Sequence, residues 1–142
     1  MTELISGFVS KDGLMFDIEI DCSGLQSLNH ISVKVNTKNI SHNVPRIEAH
    51  ITSNDKMVNG NFIKGIFIDD IQGEPSNGYG TALMSSLIKF CKNNNIKFIC
   101  GELCVDDLET HKDRLINFYK KFDFNIHISE TGKSGSIKLE LD

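Results

Sequence analysis

Residues 62–81 read FIKGIFIDDIQGEPSNGYGT and run without a break into ALMSSLIKFCKNNN, residues 82–95. Phe62 to Ile71 is the richest β-branched run in the chain, and its length suits a strand. Beyond Gly80 the pattern changes. Leu83, Leu87 and Cys91 recur at i, i+4 and i+8 with Met84 and Ile88 beside them, which is the apolar stripe of a helix over 80–92. A strand therefore ends, a Gly-rich turn follows, and a helix begins at once. The first N–H groups of any helix lack internal partners and point outward at the positive end of its dipole. Gly78 and Gly80 remove side chains where a ligand could approach those groups. The arrangement suits a phosphate or pyrophosphate. It matches neither common nucleotide motif: Gly-x-Gly-x-x-Gly would need a glycine at Leu83, and a P-loop would need Gly-Lys-Ser/Thr where Gly80-Thr81-Ala82 stands. A plain turn at Asn77-Gly78 fits these residues as well, although the helical period after it leaves no second hairpin strand.

Upstream, apolar and polar residues alternate. Phe16, Ile18, Ile20 and Cys22 face one way and Asp17, Glu19 and Asp21 the other; Ile31, Val33, Val35 and then Ile47, Ala49, Ile51 repeat the pattern. Period two with polar residues between marks half-buried strands. Asn59-Gly60 is a strong hairpin turn leading into the strand at 62–71. Only Ser23 to His30 leaves room for a helical turn. Downstream the order becomes αβαβ: a strand over 96–105, a helix over about 110–122 marked by Leu115, Ile116, Phe118, Tyr119 and Phe122, and closing strands at 124–129 and 136–141. Asn93-Asn94-Asn95 reads as a helix stop. Thr131-Gly-Lys-Ser-Gly135 imitates the end of a Walker A loop, but a strand follows it, so it reads as a hairpin connection. A meander followed by β-α-β units gives an α+β fold, with a mixed, mostly antiparallel sheet, a strand-rich half over 1–60 and a β-α-β-α-β half over 61–142.

The 142 residues suit one domain. With 39% hydrophobic and 24% charged residues the chain has the composition of a globular protein rather than a disordered one. The net charge of −4 argues against nucleic acid as the main partner. No run of 18 apolar residues spans a membrane, and the start Met1-Thr2-Glu3-Leu4 lacks the form of a signal peptide, so a cytoplasmic location is expected. Cys22, Cys91, Cys100 and Cys104 form no Cys-x-x-Cys pair and the five histidines are scattered, so reduced thiols and no metal site are expected. Cys104 has no ordered histidine partner for nucleophilic catalysis.

At this point the residues resemble a family. A strand, then Pro75-Ser-Asn-Gly78-Tyr-Gly80-Thr-Ala-Leu-Met, an amphipathic helix, a strand, and a helix ending Phe118-Tyr119-Lys-Lys-Phe-Asp-Phe124 is similar to the pattern of GNAT N-acyltransferases. The run from Asp106 to Tyr119 looks like small bacterial members of that superfamily. The likeness covers about residues 60–128. It implies that backbone amides of Ser76, Asn77, Gly78, Tyr79, Gly80 and Thr81 hold the pyrophosphate of acetyl-CoA, the acyl donor. It implies that Asp70 and Ile71 bond the pantetheine arm by backbone, where the strand at 62–71 splays from that at 96–105. Tyr119 would be the general acid that protonates the departing thiolate. The chain departs from the pattern at Pro75 (often Gln or Arg), Asp123 (usually Gly), Lys112 (often Asn) and Lys64 (a catalytic Glu in some members).

The chemistry is coherent. An amine must lose a proton before it attacks a thioester, and a tyrosine with a pKa of about 10 can protonate the thiolate. A splayed strand can offer an N–H to the developing oxyanion. Glu102 is the candidate base, with Asp69 and Asp70 on the other strand and His111, four residues after Asp107, as further candidates. The expected function is transfer of acetyl from acetyl-CoA to a small-molecule or peptide amine. The alternatives are a catalytically silent acyl-CoA-binding module and a structural protein in which 75–81 is only a turn. The strand-rich first half would leave the acceptor side open or have it completed by a second copy, as a homodimer.

Overall fold

The computed structural model describes residues 2–23, 30–37, 44–58, 60–72, 78–103 and 105–141. Along them run β1 (Thr2–Val9), β2 (Met15–Ser23), β3 (His30–Asn36), β4 (Arg46–Val58), β5 (Asn61–Gln72), α1 (Tyr79–Asn93), β6 (Phe98–Leu103), α2 (Val105–Lys121), β7 (Asn125–Ile128) and β8 (Gly135–Glu140). The strands make one eight-stranded sheet in the order β1-β2-β3-β4-β5-β6-β8-β7. Every neighbouring pair is antiparallel except β5 and β6, which are parallel. The α+β class, the mostly antiparallel sheet and the strand-rich first half all follow the sequence reading.

The alternating residues explain the layers. Phe16, Ile18, Ile20, Ile31, Val33, Val35, Ile47, Ala49, Ile66 and Ile68 are buried on one face of the sheet, against Leu83, Met84, Leu87 and Cys91 of α1. That helix packs over β2, β3 and β4. Both helices carry the chain the same way across the sheet, β5 to β6 and β6 towards β7, and right-handed crossovers in one direction place them on one face. The other face bears Asp17, Glu19, Ser32, Lys34, Glu48, His50 and Phe67, and no described helix covers it.

Helix ends follow side-chain chemistry. Asn94 caps α1, its Nδ2 donating to the Phe90 carbonyl at 2.8 Å, and Asn95 takes a left-handed φ of 58°. Asparagine tolerates that conformation better than most residues, so the triple Asn stops the helix as read. The β4–β5 turn at 59–60 is flanked by the pair Val58↔Asn61, and Asn59 itself lies outside the described residues. The TGKSG stretch is the β7–β8 connection, closed by the Ser129 N–H donating to the Ser134 carbonyl at 2.9 Å.

Two elements differ from the periodicity. β1 is not evident from alternation because a register shift falls between Ile5 and Phe8; both face the core, three residues apart, and Phe8 stacks on Phe16 at 5.4 Å. α2 carries the expected helix after His111, but a further helical stretch from Val105 precedes it across a break at His111 (φ −137°, ψ 26°), so Asp107 and His111 do not share a regular helical face. The helical turn expected at 23–30 falls on residues 24–29, outside those described.

Two stability predictions come from these packing details. Asp123 follows α2 with φ 65°, where glycine is the best fit. Asp123→Gly is expected to add about 0.5–1 kcal/mol and raise Tm by a few degrees in thermal denaturation; a lower Tm would show that the carboxylate outweighs the backbone strain. Burial pushes the Cys91 thiol up from its ordinary 9.0 to about 12. Below pH 9 both folded and unfolded chains keep this proton. Above it the unfolded chain loses the proton first, so the thiol's contribution to unfolding free energy falls by about 1.4 kcal/mol per pH unit until the folded value is reached. Cys91→Ala should remove that increment of alkaline slope in urea titrations; an unchanged slope would exclude it.

Candidate functional site

Parallel pairing of β5 with β6 runs through Gly65↔Phe98, Ile66↔Ile99, Phe67↔Cys100 and Ile68↔Gly101, then stops. Beyond it β5 stays with β4, through Glu48↔Asp70, Ile47↔Ile71 and Arg46↔Gln72, while β6 stays with β8, through Glu102↔Ser136 and Leu103↔Gly135. The two strands part at their C-terminal ends. From Asp69 onward the backbone groups of β5 that face the gap have no strand to bond among the described residues. Open sheets hold ligands at such carboxyl ends. The register of β4 against β5 also shifts here: Glu48 pairs with Asp70 but Ala49 with Ile68, so Asp69 is the extra residue of a β-bulge. The bulge sets Asp69 and Asp70 together on the outer face and returns Ile71 to the core.

After the carboxyl end of β5, the described chain resumes at Gly78 and enters α1. Gly78 precedes it with φ +81°, and no side chain caps the helix. The first internal bond is the Ala82 N–H to the Gly78 carbonyl at 3.2 Å, which leaves the N–H groups of Tyr79, Gly80 and Thr81 outside the helical pattern. The first turn holds no acidic residue. A Cβ at Gly78 would meet nothing within 4 Å, so the glycine is there for its left-handed backbone and faces open space. Gly80 differs: a Cβ there would press on the Phe118 ring at 3.3 Å, so its missing side chain lets α2 approach α1. The Tyr79 ring is buried edge-on to Phe16 at 4.9 Å, leaving only its backbone for a ligand.

The other expected residues fall as follows. Asp70 and Ile71 lie on the β5 bank of the gap, and Glu102, exposed, on the β6 bank. Tyr119 is buried, edge-on to Phe118 and Phe124, each at 5.3 Å. His111 and Lys112 are exposed at the kink of α2. Ser76, Asn77, Pro75 and Cys104 lie outside the described residues. Cys100, on the outer face of β6, has its thiol pushed up by burial, against an opposing pull from Lys138. Among the described residues no three His, Cys, Asp or Glu side chains converge as a metal site would need.

Two groups escaped the sequence reading. Lys121, the last residue of α2, donates from Nζ to the Thr81 hydroxyl at 2.8 Å and lies 5.9 and 5.8 Å from the Phe118 and Phe122 rings. A cation thus sits at the positive end of α1, a repulsive arrangement that an anion would relieve. A lysine at the C-terminus of its own helix is ordinary, so the residue type carries no sequence signal of this contact. His50 on β4 holds Asp69 through Nδ1, with carboxylate oxygens at 3.0 and 2.8 Å. Nineteen residues separate the two, so only strand register brings them together.

No family model matches the chain. Over 73 residues, 51% of the chain, it is 40% identical to the uncharacterised protein YocC of Bacillus subtilis (strain 168), and the match spans 44% of that relative's length. Three solved structures share its architecture. The GNAT domain of S. lividans PAT superposes with a TM-score of 0.65 at 7% identity, over 94% of this chain and 95% of that one. YncA of Salmonella typhimurium, solved with its cofactor acetyl-CoA, gives 0.52 at 14% identity, over 80% of this chain and 65% of that one. The ribosomal-protein-S18-alanine N-acetyltransferase of Escherichia coli gives 0.50 at 13%, over 99% and 93%. With the single parallel pair, the parted strands and the helix that follows them, these likenesses identify the chain's architecture as the GNAT-superfamily fold.

Proposed function

We propose that the protein is an N-acetyltransferase that moves the acetyl group of acetyl-CoA to a primary amine by direct attack. The observation that carries this reading is the parting of β5 from β6 beside an uncapped helix start that already has a cation against it. The backbone amides of residues 76–81 would receive the pyrophosphate, with Lys121 adding the positive charge that Pro75 does not supply. The gap-facing backbone of Asp70 and Ile71 would bond the pantetheine arm, and an N–H there would meet the oxyanion. Tyr119 would protonate the departing thiolate. Glu102 and the His50–Asp69 pair stand on opposite banks as groups that could take the ammonium proton. The acceptor would be a small-molecule or peptide amine approaching from the face without a described helix, as a free chain or in a homodimer. The Escherichia coli neighbour acts, by its name, on an alanine of a ribosomal protein. Among the described residues no helix is long and apolar enough to cross a membrane.

Calorimetric titration tests the donor site. Acetyl-CoA and free coenzyme A should bind with roughly micromolar affinity, in the range usual for substrates. Lys121→Ala should weaken both about three- to tenfold, with the difference shrinking in high salt. Absence of binding at about millimolar ligand, near the weak end of that range, would end the reading. Tyr119→Phe separates an enzyme from a silent binding module. It should lower turnover in a thiol-release assay about a hundredfold and leave cofactor affinity unchanged; an undiminished rate would remove Tyr119 as the acid.

A further inference from the structure

We propose that His50, oriented by Asp69, is the base that removes the proton from the acceptor's ammonium group; the proposal rests on the acetyl-transfer reading above. Asp69 is the first residue of β5 beyond its last pair with β6, so the histidine it holds stands at the lip of the gap. Alternation from Phe67, which pairs with His50, puts Asp69 on the outer face beside that histidine, and the bulge leaves Asp69 without a paired residue on β4.

The chemistry follows from the contact. An ionised carboxylate only accepts hydrogen bonds, so the Nδ1 it meets must carry the hydrogen. The neutral ring then presents its lone pair at Nε2, and the carboxylate stabilises the imidazolium that forms when Nε2 takes a proton. The Phe67 ring, 5.3 Å away and inclined at 32°, flanks the imidazole. The pair's contribution to the fold is small, because the two side chains are 40% and 43% exposed and ion pairs in water stabilise little. Exposure of that degree leaves the ring within reach of a substrate.

Three charged groups near it have partners of their own. From β3, His30 lies across from His50 but holds Glu48 at 2.7 Å, one strand further from the gap. Glu48 also meets Arg46 at 3.5 Å and accepts from the Ser32 hydroxyl at 3.3 Å. From β5, Asp70 accepts from Gln72 Nε2 at 2.6 Å. Glu102 offers a carboxylate, an intrinsically weaker base than imidazole.

The step balances as follows. Nε2 of His50 takes one proton from the ammonium. The neutral amine attacks the thioester carbonyl, forming the C–N bond, and the C–S bond breaks as the intermediate collapses. The thiolate takes the proton of Tyr119, and the second proton lost by the nitrogen restores the phenol. His50 returns its proton to water. The products are the amide, coenzyme A as its thiol, and one proton.

The test compares wild type, His50→Gln and Asp69→Asn with two small acceptors, ethylamine and hydroxylamine, at saturating acetyl-CoA. Ethylamine is protonated at neutral pH and needs a base; hydroxylamine is largely unprotonated and needs one less. His50→Gln should lose about a hundredfold with ethylamine, at least tenfold more than with hydroxylamine, and its rate with ethylamine should rise with pH up to the pKa of the free amine. Asp69→Asn should lose about tenfold in the same direction. Calorimetric affinity for coenzyme A should stay as in wild type for both variants. Equal losses with the two amines, or none, would overturn the proposal and leave the acetyl-transfer reading standing. A wild type that binds no acetyl-CoA, or acetylates neither amine, would overturn that reading and the proposal with it.

Discussion

Only four residue pairs, from Gly65↔Phe98 to Ile68↔Gly101, join β5 to β6 in parallel. The strands N-terminal to them form an antiparallel meander, and β8 and then β7 continue the sheet from β6. A parallel connection needs a crossover, which is why α1 exists where it does and why its N-terminus lies at the carboxyl end of β5. The early end of this ladder leaves backbone groups of β5 beyond the parallel pairing, and the first N–H groups of α1 lie outside its helical bonds. Backbone groups outside a ladder or a helix need water, another part of the chain or a ligand to meet them.

The electrostatics of that end of the molecule run against the usual preference. Helix N-termini favour acidic neighbours, yet the first turn of α1 has none and receives Lys121 from α2 instead. The lysine lies against the Phe118 and Phe122 rings, so aromatic faces hold the charge in place. The absence of a glycine side chain at 80 brings α2 close enough for this contact.

Much of the fold was legible because the first half alternates cleanly and α1 has a well-defined stripe. The uncapped helix start was legible too, from the glycines and the change of period. What alternation could not show was register. The apolar positions Ile66, Ile68 and Ile71 break period two by one residue, around two adjacent aspartates, and that interval is the signal of the bulge. Ile5 and Phe8 carry the same signal in β1. His50 and Lys121 are further from reach, because each meets its partner through tertiary packing, across 19 and 40 residues of chain.

The start of the parallel ladder is fixed in a different way from its end. A single Cβ at Gly65 would lie 2.2 Å from the Phe98 ring, so the aromatic side chain rests directly on the backbone of the neighbouring strand. Phe98 is itself crossed by Lys138 at 5.1 Å. The seam between the two halves of the sheet is thus clasped at one end and unfastened at the other, like a clothes-peg. Mechanically, the width of the jaws is governed from the clasp: thickening position 65 would lever the strands about Ile66 and Ile99, and the displacement would be felt at Asp69 and Glu102, the first residue of each strand beyond the last parallel pair.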